Sequence, residues 1–163
     1  MSKFGSKKKD SFLKSLKLPS LEDDKNNLTI RCKFNFSYFD PSQDAGQNFN
    51  EWDHDQLSDL LTKIKNYTIN SLEYWQNQRV GGGGRKVLEI YGGFPPKSDF
   101  KHPKYVPHQA QWGRFRLGST TRLVGFTVPT EFHKRPHQKT GEFFDKNTFY
   151  VVFLDRDHRF YLT

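Results

Sequence analysis

Hydrophobic and polar positions alternate most regularly over residues 28–39, where Leu28, Ile30, Cys32, Phe34, Phe36 and Tyr38 fall on one face and Thr29, Arg31, Lys33, Asn35 and Ser37 on the other. A period of two predicts a half-buried first strand. Asp40-Pro41-Ser42 and the Gly46 region then predict a loop, because proline restricts the residue before it and cannot join a ladder. From Asp53 the period lengthens. Leu57, Leu60, Leu61, Ile64, Thr68, Leu72 and Trp75 recur at helical spacing and leave Asp55, Asp59, Lys63, Lys65 and Asn66 for solvent. Asp53 is a natural N-cap with Gln56 at the capping-box position, and Trp52 and Leu57 are spaced as a hydrophobic staple. The helix is expected to reach about Trp75, either unbroken or split near Tyr67-Thr68, and to lay its apolar stripe on a sheet.

Four glycines occupy residues 81–84, between Arg79 and Arg85-Lys86. A phosphate-binding loop would need a helix N-terminus directly afterwards and a Gly-Lys-Ser/Thr ending. A strand-like Val87-Leu88-Glu89-Ile90-Tyr91 follows instead, so a flexible hinge is expected. Residues 95–111 are polar and carry four prolines, which exclude a long helix. The last third reads as three strands, 112–117, 121–128 and 148–161. In the first, Trp112, Arg114 and Arg116 face one way and Gly113, Phe115 and Leu117 the other, which predicts a half-buried strand offering cations from a firm surface. Residues 149–154 are apolar at six successive positions and suit a central strand covered on both sides. The expected fold class is α+β: a single domain over 28–163, a mainly antiparallel sheet packed against one long or two short helices, behind a basic tail over 1–27.

Composition sharpens this picture. Only 34% of the 163 residues are hydrophobic, yet 16% are aromatic, so the core is expected to rest on large rings. The net charge of +8 points to an acidic partner, nucleic acid first. Two stretches hold most of that excess. The first 18 residues carry six lysines against Asp10, with Phe12, Leu13 and Leu16 able to make an amphipathic turn and a half that Pro19 ends. Such an end suits either an arm for phosphate or a partner protein, or a solubilising tail. Residues 96–139 carry nine Lys and Arg against Asp99 and Glu131. Lys97, Lys101, Lys104, Arg114, Lys134 and Arg135 are the expected nucleic-acid contacts there, with 129–147 read as a mobile basic flap.

Other chemistries find little support. Cys32 is the one cysteine, which excludes an internal disulfide and a Cys-rich zinc site and suggests a small core residue. His133 and His137 are four apart, but Pro136 denies them a shared helix, and no metal or other cofactor is expected. No serine stands in a Gly-x-Ser-x-Gly elbow. Asp155 and Asp157 flank arginine and are read as shaping a turn. No stretch nears the roughly 20 apolar residues of a membrane span, and Lys14 and Lys17 interrupt any signal-peptide core. A reducing cytoplasm and no membrane partner are expected. What is left is phosphodiester chemistry without metal, which needs a base, cations and an acid. Arg116 and Arg122 are the candidate cations, and His158 and Tyr161 the candidate proton carriers.

The order of strand, helix and antiparallel strands, with Trp112-Gly-Arg-Phe-Arg-Leu, Arg122-Leu123-Val124 and a closing His158-Arg-Phe-Tyr, resembles the RelE/ParE superfamily of toxin–antitoxin systems. The resemblance implies an mRNA endonuclease that works on the ribosome, or a gyrase poison on the same fold, with a cognate antitoxin as protein partner. It implies that Arg116 and Arg122 stabilise phosphate, that His158 is base or acid, and that Tyr161 assists or stacks. This chain departs from the family in that no acid is read in the second or third strand, where some members use one. The alternative is a non-enzymatic module gripping nucleic acid or protein through loops 95–111 and 129–147, and a third is a factor that blocks an enzyme with its charged surface.

Overall fold

The helical period that starts at Asp53 is realised as two helices, α2 (His54–Tyr67) and α3 (Leu72–Asn77), with the break at Tyr67-Thr68. In the computed structural model residues 6–16, 19–23 and 27–163 are described. The chain divides into two units, residues 1–30 and 31–163. The first contains α1 (Lys7–Ser15), with Asp10 in its first turn and Lys14 in its last, the sense that the helix dipole favours. It is nine residues rather than a turn and a half, and Phe12, Leu13 and Leu16 are all exposed. Lys3, Lys17 and Leu18, counted in the expected basic arm, lie outside the described residues.

The second unit is the α+β domain. Its five-stranded sheet has the order β1-β7-β6-β5-β4, built from β1 (Lys33–Asn35), β4 (Leu88–Gly92), β5 (Gln111–Arg116), β6 (Arg122–Thr127) and β7 (Thr148–Asp155). Every pair is antiparallel except β1 with β7, which is parallel. A separate two-stranded ribbon, β2 (Arg79–Val80) and β3 (Arg85–Lys86), precedes β4. The glycines expected as a hinge are therefore the tip of a hairpin.

The capping box forms as read: Asp53 Oδ1 accepts from the Gln56 N–H at 2.8 Å and Gln56 Oε1 accepts from the Asp53 N–H at 3.0 Å. The break after Tyr67 is also bonded. Tyr67 O accepts from Trp75 Nε1 at 2.7 Å and from the Cys32 thiol at 3.2 Å, while the Tyr67 hydroxyl donates to Arg116 O. Burial pushes the Cys32 thiol up to about 11, as befits a small core residue. Leu61 is the exception on the apolar stripe and is exposed.

The first strand is a correction. Only Lys33–Asn35 pairs with β7, Leu28 and Ile30 are exposed, and Phe34 and Tyr38 pack into different cores. The chain bends away after Asn35, so the alternation over 28–39 does not translate into one buried face.

Both faces of the sheet are covered. The helical side buries Leu60, Tyr67, Leu72 and Trp75 against Phe115, Leu123 and Phe149. On the other side Trp112, Val124, Phe126 and Phe153 are capped by Phe100, Val106 and Phe160 from loop 95–111 and the C-terminal segment. Ring packing fills this second core: Phe94 meets Trp112 edge-on at 5.0 Å and Phe100 lies 4.4 Å from Phe153. β7 is the interior strand its apolar run predicts. β5 is not half-buried as expected, because its arginine face lies under this second layer.

Candidate active site

Strand register determines which charges meet. On β5, Arg114 stands opposite Glu89 of β4, and Arg116 opposite Arg122 of β6, which in turn faces Asp155 at the end of β7. Period two keeps these side chains on one face, at the edge of the second aromatic layer. Gly113 allows the closeness of β4: a Cβ there would sit 2.6 Å from the Glu89 carbonyl and 2.5 Å from Ile90 Cδ1. A bulge between Ile90 and Gly92 leaves Tyr91 as the extra residue and re-aims it.

Arg114 is the hub. Its Nη2 donates to Glu89 Oε2 at 3.2 Å and its Nη1 to His158 Nε2 at 2.7 Å. Arg116 Nη2 lies 3.9 Å from the same Glu89 oxygen. The Arg114 guanidinium also lies 5.4 Å from the Tyr91 ring and 5.8 Å from the Tyr161 ring, and those two rings stack on each other at 4.7 Å and 12°. Tyr91 and Tyr161 are partly buried, and burial raises the Tyr91 phenol well above its ordinary range. The Glu89 carboxylate is still 37% exposed, so a ligand can reach it.

His158 reaches Arg114 from a loop built for the purpose. Asp155 is fully buried and accepts from the Arg159 N–H at 2.8 Å and the Phe160 N–H at 2.9 Å, while Gln47 Oε1 accepts from the Arg156 N–H. Burial pushes the Asp155 carboxyl up. The turn this makes holds His158 at φ 58°, a left-handed conformation uncommon outside glycine. Arginine has only donors, so His158 Nε2 must accept and the ring is neutral in this arrangement. Burial, then the charges of Arg114 and Arg122, hold its pKa below the usual histidine value.

The residues singled out in the sequence separate here. Arg116, His158 and Tyr161 come together, and Arg114, expected as a general nucleic-acid contact, is the centre of the group. Arg122 lies in the same row but is only 2% exposed, and its guanidinium donates to the carbonyls of Gly118, Ser119 and Thr121. Burial and the charges of Arg116 and Arg114 press its pKa down, and its hydrogen bonds are turned inward onto the β5–β6 turn. Lys97, Lys101, Lys104, Lys134 and Arg135 are exposed on loops outside the hub. Loop 129–147 is internally bonded rather than open, with a Pro136–Phe143 bridge, reciprocal bonds between 134–135 and Phe144, and Arg135 over Phe132 at 4.8 Å.

Sequence reasoning missed Glu89 and Tyr91. An acid does stand on the strand that follows the glycines, contrary to the expectation of none. Its one signal was the alternation of Glu89 and Tyr91 against Leu88 and Ile90. Among the described residues no three His, Cys, Asp or Glu side chains gather as a metal-ligand group. No described helix is long and apolar enough to cross a membrane. Compared with family models, curated proteins and solved structures, the chain matches none.

Proposed function

We propose that this protein is a metal-independent endoribonuclease whose centre is Glu89, Arg114, Arg116 and His158. The observation that carries the reading is the chain of contacts from a half-exposed carboxylate, through one guanidinium, to a neutral imidazole. RNA cleavage without metal needs a proton acceptor, a cationic seat for the phosphate and a proton donor, within a nucleotide's span of one another. Glu89 accepts the proton of the ribose 2′-hydroxyl, and the 2′-oxygen attacks phosphorus. The bond to the 5′-oxygen breaks, and protonated His158 gives that oxygen its proton. A 2′,3′-cyclic phosphate and a 5′-hydroxyl result.

Arg114 links substrate binding to the acid. In the free protein it holds His158 neutral. An incoming phosphodiester offers charged acceptors that form stronger hydrogen bonds with Arg114 than an imidazole does. The released Nε2 then stands beside an anion instead of a cation, and its affinity for a proton rises. Tyr91 and Tyr161 provide a face on which an unpaired base can stack, worth about 1–3 kcal/mol.

The likeness to RelE/ParE toxins makes mRNA on the ribosome the expected target, an antitoxin the expected partner and the cytoplasm the expected setting. The reading is tested by incubating labelled single-stranded RNA with wild-type protein, Glu89→Gln and His158→Gln in excess chelator. Cleavage by wild type and loss in both variants, with melting temperatures unchanged, supports it. RNA bound by all three and cut by none favours the second reading, a binding module acting through the exposed lysines and arginines of loops 95–111 and 129–147.

A further inference from the structure

The ribbon next to the site is electrostatically unbalanced. Register sets Arg79 opposite Lys86, so two cations share one face of a two-residue ladder, with Val80 opposite Arg85 on the other. Like charges directly opposite destabilise a strand pair, and an isolated two-stranded ribbon is marginal in water. All three basic residues are exposed. Among the described residues no acid forms an ion pair with any of them.

The tip is as open as the stems are charged. Gly81 and Gly84 adopt φ of 65° and 71°, which the turn requires. A Cβ at Gly81, Gly82 or Gly83 would meet nothing within 4 Å, so no packing of this domain explains the glycine run. What the run leaves is bare backbone that a chain of phosphates can approach closely, flanked by three cations.

The ribbon is also joined to the hub. Arg116 Nε donates to Lys86 O at 3.4 Å, the Val87 N–H donates to Gln78 O at the ribbon's base, and Val87 O accepts from the Arg116 N–H. Arg85 is near enough for its charge to bear on Arg116. A cationic track therefore runs outward from Arg114 and Arg116 along the hairpin.

We propose that the glycine-tipped ribbon 79–86 is an arm that grips the phosphates of single-stranded RNA beyond the bond to be cut. This rests on the endoribonuclease reading, and the following comparison separates the two. Wild type and Arg79→Ala/Lys86→Ala are assayed on a dinucleoside monophosphate, which has no phosphate for the arm, and on single-stranded RNA of about 12 nucleotides, well within the length such grooves track. The double variant is expected to cut the dinucleotide as wild type does and to lose about tenfold or more in kcat/KM on the longer RNA. The slope of log kcat/KM against log salt should shrink by about 1.4 for two lost contacts. Equal activity on the longer RNA, or equal losses on both substrates, overturns the arm. If wild type cuts neither substrate the nuclease reading fails, and the arm is judged by binding of the same labelled oligonucleotide. Weaker binding by the double variant with a shallower salt slope upholds it; indistinguishable binding refutes it.

Discussion

Glu89 and His158 flank a single guanidinium, and each has its own consequence for the chemistry. Removing the proton acceptor with Glu89→Gln should lower kcat on RNA by about 10²- to 10⁴-fold with little change in stability, because the side chain is partly exposed and keeps its shape. His158 should titrate below its ordinary value of 6.5 in the free protein, followed by the ring-proton NMR shift, and should move upward when inorganic phosphate is added. The sign for stability follows from the same depression. The fold favours the neutral ring, so this contribution is complete above the unfolded value of 6.5 and is lost as pH falls through the folded one. A melting temperature that declines over that window in wild type, and less in His158→Gln, would agree. Glu89 was hard to read in the sequence because an acid in a short apolar run has no visible partner until register places it opposite Arg114. Arg122 and Arg116 look alike in sequence, each on a strand beside leucine or phenylalanine. The turn carbonyls at 118–121 separate their roles.

At the level of elements, that turn makes a prediction of its own. Arg122→Ala removes the donor to the Gly118 and Ser119 carbonyls, while Thr121 O keeps the Leu117 N–H, and should cost about 3 kcal/mol in urea unfolding, whereas Arg116→Ala should leave stability nearly intact and lower activity. Arg122→Ala with full stability and lost cleavage would instead return Arg122 to the phosphate. Gly113→Ala tests the approach of β4 to β5. The added methyl must displace Ile90 or the Glu89 carbonyl, and overpacking of this kind costs about 1–3 kcal/mol. Moving Glu89 relative to Arg114 should also reduce cleavage in the protein that still folds. The elements with the strongest local signals were legible: the Asp53 cap, the break at Tyr67-Thr68 and the apolar run of β7. The strand over 28–39 was not, since its regular alternation carried no sign that pairing with β7 stops at Asn35. The glycine run suggested a hinge rather than the hairpin it forms, which depends on two residues of pairing on either side.

Across the whole molecule, the rings build the core that composition predicts, and they also cover a face that the strand pattern left open. Rings fill both faces of the sheet, so the arginine face expected to be open is roofed by Phe94, Phe100 and Phe160, and charge emerges only at its edge. Loop 95–111 read as polar and irregular because its contribution to the core is a few widely spaced side chains, Phe100, Val106 and Ala110. The net charge of +8 and the track from Arg116 to the ribbon together predict RNA binding that weakens steeply with salt, whereas a shallow dependence would point to a protein partner. Phosphorus NMR of RNA treated with the protein in excess chelator is the most direct test of the central claim. A resonance of 2′,3′-cyclic phosphate that grows with time under wild type and is absent under Glu89→Gln is the expected result. Intact phosphodiester under both proteins, or the cyclic product formed equally by both, would contradict a cleavage site centred on Glu89, Arg114 and His158.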